Sequence, residues 1–567
     1  MNTSQTLMRA TLQDVVDRLM ANPNLPEWRK RDLRSAVVIY GKLVGQPLSA
    51  IPLDLGAIRH TLDGIVPAQA KVSRKTWCNV RTNIAGAIDA SGLQPMLKTA
   101  HMALDSTWAA LFGAVNDKGV TNGLSRLARW ATSRHISPAA IDNAIFEQFF
   151  FELETTSLVR SLRGQRRSVA KAWNRLVALS ADPALRPIQV PSNRPTSTRV
   201  PWAELPASFR DEVETYLVWC RVPDPLDEHA RARPLAPETV RLRRDHIHLA
   251  ASAAVAAGLE AKRLNSLARL VEPETYKRLL RQRWEEAGGR FTNYTRDVAG
   301  TLVAIAGEWV EVSARQMTQL KELRSKLGGG PQRGFTEKNR ALLRLFDDPR
   351  LVTQLVQLPD KLWRIARRNL VRRRVSFIDL QNALAIDILL HVPLRIENLS
   401  ELRFGQHIYW PQGRGKPAIL VLNGEETKNK NALEFELPAV LADRLYLFRH
   451  EIAPPIVGKV PDALFISRKG VPRARGTLRV AIQKTVLRHL GVKLSPHQFR
   501  HLGAKIALDD NPGAYEHVRQ LLGHEGENTT SRFYAGINTR RAGRAHAALI
   551  ARLRENTPKR SPRDPAD

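Results

Sequence analysis

The sequence predicts a multidomain, mostly helical protein: all-α N-terminal modules are followed by a mixed α+β domain with a small antiparallel sheet. Two observations separate these parts. Over the first 325 residues, apolar positions recur with a helical period and show little β-type alternation. Three short strand-like runs then follow at residues 407–410, 418–422 and 433–437, where a polar turn, GEETKNKN, separates the last two. A buried helix is predicted at residues 377–391, just before them.

Two segments interrupt the helical pattern with proline, glycine and basic residues, at 191–201 (PSNRPTSTRVP) and 326–334 (KLGGGPQRG). Such segments are typical of linkers between domains. We therefore expect helical modules at 1–110, 111–190 and 200–325, the mixed domain at 335–555 and a disordered polar tail at 556–567. About three to five domains are also what 567 residues suggest, at roughly 150 residues per domain.

The helical region contains a loose repetition in three copies. Each copy opens with a helix that mixes basic and apolar residues, at 29–45, 122–136 and 238–258. Each copy closes with a helix that holds a tryptophan and basic residues, at 71–88, 161–179 and 293–310. A triplicated module and a chance similarity among helices both explain this pattern, and the sequence leaves the choice open.

The charge balance indicates a polyanionic partner. There are 87 Lys and Arg residues against 55 Asp and Glu, a formal net charge of +32, which favours nucleic acid. An anionic membrane surface is the alternative, but the sequence offers neither an amphipathic anchor nor a lipidation site. Residues 361–374 hold seven basic residues and no acidic one, and helical spacing places Arg364, Arg368 and Arg372 on one face. We expect that face to contact phosphates.

The remaining composition predicts a soluble, cytoplasmic protein. Two cysteines, Cys78 and Cys220, give neither a disulfide scaffold nor zinc-ligand spacing. Asp14 and Asp17 interrupt the N-terminal region where a signal peptide would need an unbroken apolar run. The longest apolar stretch, 249–259, is about half the length of a membrane span.

Four groups of residues in the last third of the chain stand in an informative order. They are Arg395 in VPLRIENLSELR, Lys428 and Lys430 in TKNKN, His497, Arg500 and His501 in LSPHQFRHLGAKIAL, and His524 with Tyr534 in LLGHEGENTTSRFYAG. This order resembles the tyrosine recombinases, the family of phage-type integrases. Their signature is an Arg in R-I-x-x-L, a hairpin Lys, H-x-x-R, L-G-H and then a Tyr. The resemblance covers roughly residues 335–550.

The resemblance implies a site-specific recombinase that cuts and rejoins DNA through a 3′-phosphotyrosyl intermediate, without metal, ATP or another cofactor. Arg395 and Arg500 would clamp the scissile phosphate, and Tyr534 would attack it. Lys428 would protonate the leaving 5′ oxygen, while His497 and His524 would position the phosphate or exchange protons with it. The implied partner is double-stranded DNA, bound by a homotetramer at two sites, and accessory proteins are left open.

Three points at this site stay open or depart from the family. Lys430 lies two residues from Lys428 in the same turn and could replace it as the hairpin lysine. Asn398 stands where many members carry a carboxylate, which leaves the support of Arg395 undecided. His497 and His501 have the spacing of a metal-binding helix, but the glutamate of H-E-x-x-H is absent. His501 is therefore expected to pack beside the site.

The helical modules and the mixed domain are expected to clamp opposite faces of a duplex. Besides the three arginines above, the candidates for contact with DNA are Arg74, Lys75, Arg81, Arg163, Arg166, Arg167, Lys171, Arg290 and Arg296. Two alternatives to recombination remain. A type IB topoisomerase would use the same tyrosyl chemistry to relax supercoils, and a non-catalytic DNA-binding protein could descend from a recombinase.

Overall fold

The structure is a computed structural model that describes residues 10–70, 72–97, 102–192, 198–224, 226, 230–231, 233–329, 335–371, 377–427, 430–511, 513–523, 547 and 550–552. It divides into two compact units, one formed by Met1–Asn193 with Arg333–Asp567 and the other by Arg194–Gln332. Both divisions fall inside the predicted linkers at 191–201 and 326–334. No described helix is long and apolar enough to cross a membrane.

The first unit begins with two small helical cores. Thr11 and Asp14 form a capping box that starts the first helix. Leu33, Val37 and Ile84 are buried where the second helix packs on the fourth. The helices of the first core are α1 Leu12–Ala21, α2 Glu27–Val44, α3 Leu55–Gly64 and α4 Arg74–Ala90, and those of the second core are α5 Ser106–Ala114, α6 Lys118–Thr132, α7 Asn143–Thr156 and α8 Leu162–Ser180.

The expected boundary at residue 110 falls inside α5. Trp108 of this helix is fully buried, and its ring lies 6.0 Å from that of Trp173 on α8. Arg59 of α3 also joins the two cores, because its guanidinium donates to the carbonyl oxygens of Glu154 and Ser157 at the end of α7. These carbonyls lack helical partners and carry the negative end of the helix dipole, so a buried arginine satisfies them.

Helices form the core of the second unit, and its described loops add one isolated β-bridge, between Pro223 and Arg231. The alanine-rich stretch at 249–259 lies mainly in a long core helix, where Ala250, Ala251 and Ala254 are buried. Their small side chains allow two neighbouring helices to pack on this one. The helices are α9 Ala207–Trp219, α10 Pro237–Ala256, α11 Leu267–Leu270, α12 Pro273–Glu286, α13 Asn293–Glu308 and α14 Ala314–Ser325, with α12 and α13 against α10.

In all three sequence copies, the opening helix packs on the closing helix. The pairs are α2 with α4, α6 with α8, and α10 with α13. Trp77 of α4 and Trp173 of α8 are buried, and Trp309 caps the end of α13. This shared pairing is compatible with a repeated module, and triplication stays a prediction.

The last part of the first unit is the predicted mixed α+β part, and its small antiparallel sheet is confirmed. Strands β1 Ile408–Tyr409, β2 Ala418–Leu422 and β3 Leu433–Leu437 pair in the order β1-β2-β3, with Leu420 opposite both Ile408 and Phe435. The mostly buried α18 contributes many of its apolar side chains to the core. The helices are α15 Glu337–Leu345, α16 Pro349–Val356, α17 Leu358–Val371, α18 Phe377–His391, α19 Ile396–Glu401, α20 Ala439–Leu447, α21 Pro454–Val457, α22 Arg475–Leu490, α23 Pro496–Asp510 and α24 Tyr515–Leu522.

Candidate active site

Arg395 stands at the start of α19, just beyond the end of the buried helix α18. Pro393 follows α18 and cannot continue it, so the chain turns and Arg395 becomes the N-cap residue of α19, with an extended backbone. The side chain is half-buried, and this burial lowers the pKa of its guanidinium, which nevertheless remains charged. The guanidinium of Arg395 has no hydrogen bond or ion pair with the residues that the structure describes. Its donors are therefore directed at nothing in that part of the protein.

Arg500 lies on α23 and is only 6% exposed. Its Nη1 donates to the carbonyl oxygen of Pro393 at 2.6 Å, and its Nη2 donates to that of Leu522 at 2.5 Å. Pro393 lies two residues before Arg395, and Leu522 lies two residues before His524. Arg500 thus connects the chain segment that precedes Arg395 with the segment that precedes His524.

His497 precedes Arg500 by one helical turn, on the same helix. Partial burial of the ring lowers the pKa of His497, and the positive charges of Arg500 and Arg395 lower it further. Part of the His497 side chain is exposed to solvent. The effect of the two charges shows that both arginines lie near the ring. At neutral pH the imidazole is therefore uncharged. Arg395 and Arg500 thus both act electrostatically on the His497 ring, and a shared catalytic role of the three residues stays a prediction.

His501 packs beside this group. Its ring lies 4.6 Å from the ring of His497 and 4.7 Å from that of Phe335, edge to face in both cases. Among the described residues, no three His, Cys, Asp or Glu side chains are placed to hold a metal ion. The packing role expected for His501 agrees with these aromatic contacts.

The turn between β2 and β3 carries the two candidate lysines, Lys428 and Lys430. Thr427 is buried, and its hydroxyl donates to the carbonyl oxygens of Gly424 at 3.1 Å and Asn431 at 2.8 Å. Lys430 is exposed, has a left-handed backbone with φ of 54°, and donates its N–H to the carbonyl of Thr427. Lys428 lies outside the described residues, so the choice between Lys428 and Lys430 stays open.

A network that sequence reasoning missed ties this turn to α19. The side-chain amide of the buried Asn398 donates to the backbone carbonyl of Glu426 at 2.7 Å. The Glu426 carboxylate accepts from Nε2 of His407 and from the backbone N–H of Asn423, both at 2.9 Å. Nδ1 of His407 accepts the backbone N–H of Arg403 at 2.9 Å, which places the proton of the neutral ring on Nε2. Burial raises the pKa of Glu426, but these hydrogen bonds outweigh it and the pKa lies below its usual value.

This network answers the question that Asn398 raised. Asn398 makes no described contact with Arg395, and it secures the β2–β3 turn instead. The flanking Glu397 turns away and forms an ion pair with Arg475 at 2.8 Å. The departure from a carboxylate at position 398 was the available sequence signal, but the partner 28 residues away was not visible in it.

The remaining motif residues, His524 and Tyr534, lie outside the described residues, as does Arg372. The structure describes the chain up to Gly523, which ends α24 in a left-handed conformation. A side chain at this glycine would meet Leu433 of β3 at 3.0 Å, so the end of α24 lies close against the sheet. Tyr515 begins α24, in agreement with its interpretation as an ordinary helical residue.

The candidate DNA contacts fall into two groups. In the first group, some of the guanidinium donors are already used inside the protein. Arg81 pairs with Asp63, Arg166 pairs with Glu147, and Arg167 and Arg296 donate to the carbonyls of Pro191 and Leu327. In the second group the side chains are exposed: Arg74, Lys75, Arg163, Lys171, Arg290, Arg364 and Arg368.

Comparisons with known proteins place a family domain over this site. Residues 367–541 match the Phage integrase family, and this range contains every motif residue from Arg395 to Tyr534. No curated protein matches the chain.

Solved structures with some likeness include the XerH site-specific recombinase bound to difH substrate in a pre-cleavage complex, with 12% identity, a TM-score of 0.30, and coverage of 56% of this chain and 91% of that one. XerA recombinase has 13% identity, a TM-score of 0.25, and coverage of 56% and 99%. Lambda integrase bound to DNA has 12% identity, a TM-score of 0.32, and coverage of 56% and 91%. TM-scores this low carry no argument about this chain.

Proposed function

We propose that this chain, whose residues 367–541 form a phage integrase family domain, is a site-specific tyrosine recombinase that cuts and rejoins double-stranded DNA. One observation supports this function above the others. Two separate stretches of the family motif, one with Arg395 and one with His497 and Arg500, lie close enough for both arginines to act electrostatically on the His497 ring, and Arg500 donates to the carbonyl of Pro393, two residues before Arg395. Arginines in such a place stabilise the charge that develops on a phosphate during transfer.

In the proposed reaction, the Tyr534 hydroxyl attacks the scissile phosphorus. The new bond joins the tyrosyl oxygen to phosphorus, and the bond from phosphorus to the 5′ oxygen breaks. Lys428 or Lys430 supplies the proton for the leaving 5′ oxygen, and the tyrosyl proton passes to a neighbouring base. Because the phosphotyrosyl ester keeps the energy of the phosphodiester, a free 5′ hydroxyl can reverse the step with no ATP.

The described residues have distinct tasks in this scheme. Arg395 is partly desolvated and has no described protein partner, so its planar fork is available for two oxygens of a phosphate. Arg500 binds two backbone carbonyls through Nη1 and Nη2, which fixes the position of its positive charge beside the phosphate in this scheme. His497 is uncharged at neutral pH and can accept or share a proton near the phosphate.

DNA is the partner that the charge supports. The net charge of +32 is spread over exposed cations in both units, which suits contact with many phosphates along a duplex. We propose that a homotetramer joins two DNA sites. The target sequence, and whether the reaction is integration, excision or resolution, depend on side-chain contacts with bases and on the shape of the DNA.

The test is a covalent trap. Purified protein is incubated, with EDTA present, with nicked duplexes that carry a randomised core and with fragments of the gene's own flanking DNA. Denaturing capture then recovers DNA attached to protein. Tyr534→Phe removes the proposed nucleophile, and Tyr515→Phe is the matched control, since Tyr515 lies on α24 outside the motif.

A 3′-phosphotyrosyl adduct in the wild type and in Tyr515→Phe, but not in Tyr534→Phe, is expected. An adduct that persists in Tyr534→Phe would overturn the assignment of the nucleophile. Tight, salt-sensitive binding with no adduct would indicate a non-catalytic DNA-binding protein. Adducts that lead to relaxed supercoils and never to joined sites would indicate a type IB topoisomerase.

A further inference from the structure

The first unit contains a second basic site, away from Arg395, His497 and Arg500. A cleft of about 830 Å³ lies where the start of α4 faces α17 and α22. We call it the α4–α17 cleft. Its polar lining includes Arg74, Cys78, Arg160, Lys361, Arg488 and His489.

Of the five cationic side chains that line this cleft, Arg81 pairs with Asp63, and the other four have no ion-pair partner among the described residues. The charged side-chain groups of Arg74, Arg160, Lys361 and Arg488 make no ion pair or hydrogen bond with any residue that the structure describes. Asp379, partly buried on α18, is the one acidic residue in the described lining. Four unpaired cations around a shared volume repel one another, and a bound anion relieves that repulsion. Solvated surface charge usually mixes both signs, so this arrangement favours an anionic ligand.

His489 shows that the cations converge from both walls. Burial lowers the pKa of His489 to about 4, and the charges of Lys361, Arg488 and Arg74 contribute to the shift. Lys361 and Arg488 belong to α17 and α22, whereas Arg74 belongs to α4. The imidazole is neutral at pH 7 and can donate a hydrogen bond to a phosphate oxygen.

The cleft is built by direct packing of its walls. Trp77, Leu362 and Ala366 are buried at its floor. Beside it, Gly491 follows α22 in a left-handed conformation, and a Cβ there would lie 2.9 Å from the backbone nitrogen of Gln69. The backbones of the two walls thus touch where only glycine fits.

We propose that the α4–α17 cleft binds a run of phosphates from one DNA strand, at a site separate from the scissile phosphate. This inference rests on the proposed function in that the ligand is DNA. Cations on two walls suit several phosphates in sequence rather than one ion. The cleft is too small for a duplex to enter, so it receives one backbone or a single strand.

Cys78 provides the test, because it is exposed and lines the cleft. The chain has one other cysteine, Cys220, which is buried. The rate at which an uncharged maleimide modifies Cys78 in the full-length protein therefore reports occupancy. Duplex DNA at ten times its Kd is expected to slow this reaction about tenfold, since protection follows 1 + [L]/Kd. Rising salt should abolish the protection.

Variants separate the cleft from other DNA-binding surfaces. Lys361→Ala combined with Arg488→Ala should weaken protection and reduce the slope of log K against log salt by about 2, at 0.9 per lost phosphate contact. The matched control combines Arg34→Ala with Arg468→Ala, two exposed arginines of the same unit outside the cleft lining. In this control variant, DNA should protect Cys78 as well as it does in the wild type.

Each outcome bears on the proposal. Saturating DNA that leaves Cys78 as reactive as in free protein overturns it. Equal protection by inorganic phosphate at the same phosphate concentration also overturns it, in favour of a small-anion site. This result is independent of the covalent trap, because DNA should also protect Cys78 fully in the Tyr534→Phe variant. If the wild type forms no adduct but DNA still protects Cys78, the catalytic proposal fails and the proposal for the cleft stands.

Discussion

Asn398→Asp tests the network that joins α19 to the β2–β3 turn. The wild-type amide donates to the carbonyl of Glu426 at 2.7 Å inside the protein. Aspartate has nearly the same shape, but its ionised carboxylate has no hydrogen to donate and faces the carbonyl oxygen. The variant therefore replaces an attractive contact between a donor and an acceptor with a repulsive contact between two oxygens, with almost no change in side-chain volume. When protonated, the carboxyl group can donate again.

The magnitude follows from the buried carbonyl. Leaving it unsatisfied costs about 1–3 kcal/mol, which raises the opening constant of the turn about 5- to 150-fold. The same energy raises the pKa of the new carboxyl group by about 1–2 units above the value of 3.9 in the unfolded chain, since one unit equals 1.36 kcal/mol. A group whose folded-state pKa is raised stabilises the fold below its unfolded pKa and loses that effect as pH rises through the folded one. The variant turn should therefore open as the wild-type turn does near pH 4 and about 5- to 150-fold more often at pH 7.5.

Hydrogen exchange measures this opening directly. The backbone N–H groups of Glu426, Thr427 and Lys430 are hydrogen-bonded within the turn and report on it. Rates corrected for intrinsic pH dependence should exceed wild type at pH 7.5 and converge with it near pH 4. Asn398→Leu is the matched control: it also removes the donor, but its effect should not depend on pH. Wild-type exchange in Asn398→Asp at pH 7.5 would show that the amide does not hold the turn.

Two further predictions concern packing and charge. Gly491→Ala should destabilise the contact with Gln69 by more than the roughly 1–2 kcal/mol of a left-handed alanine, and Gly458→Ala, at a left-handed glycine with open space, should show only that smaller effect in thermal unfolding. Equal losses in both variants would contradict the close approach. Arg395→Gln should raise the pKa of His497, measured by NMR of isotope-labelled histidine, because a positive charge near the ring is removed. An unchanged titration would mean that the two side chains are apart.

The elements that the sequence predicted best depend on local patterns. The segment of α18, in which apolar residues predominate, predicts a buried helix with the bounds observed, Phe377–His391. β2 and β3 also have their predicted bounds, because a polar turn separates two short runs of strand-forming residues. The first strand is shorter than the expected 407–410. His407 donates its N–H to the carbonyl of Arg403 and uses its ring in the Glu426 network, so it belongs to a turn.

Long-range side-chain contacts explain what the sequence could not predict. Nothing near Arg59 indicates that its guanidinium ends a helix almost one hundred residues away, which joins two modules that the sequence divides at residue 110. Asn398 was recognised as a departure, yet its partner is a backbone carbonyl, and a carbonyl has no sequence signature. Four of the candidate DNA contacts have protein partners for the same reason: exposure depends on neighbours that are distant in sequence.

The two arginines of the candidate active site illustrate how one residue type serves two purposes. Arg500 satisfies two backbone carbonyls from segments that are otherwise unconnected at this point, so it orders the site before any DNA arrives. Arg395 has no described protein partner, so its interaction energy remains available to a phosphate. If neither arginine had protein partners, their two positive charges would repel each other and nothing would hold either side chain in position. Anchoring one of them in backbone carbonyls removes part of that penalty and fixes the position from which the other can act.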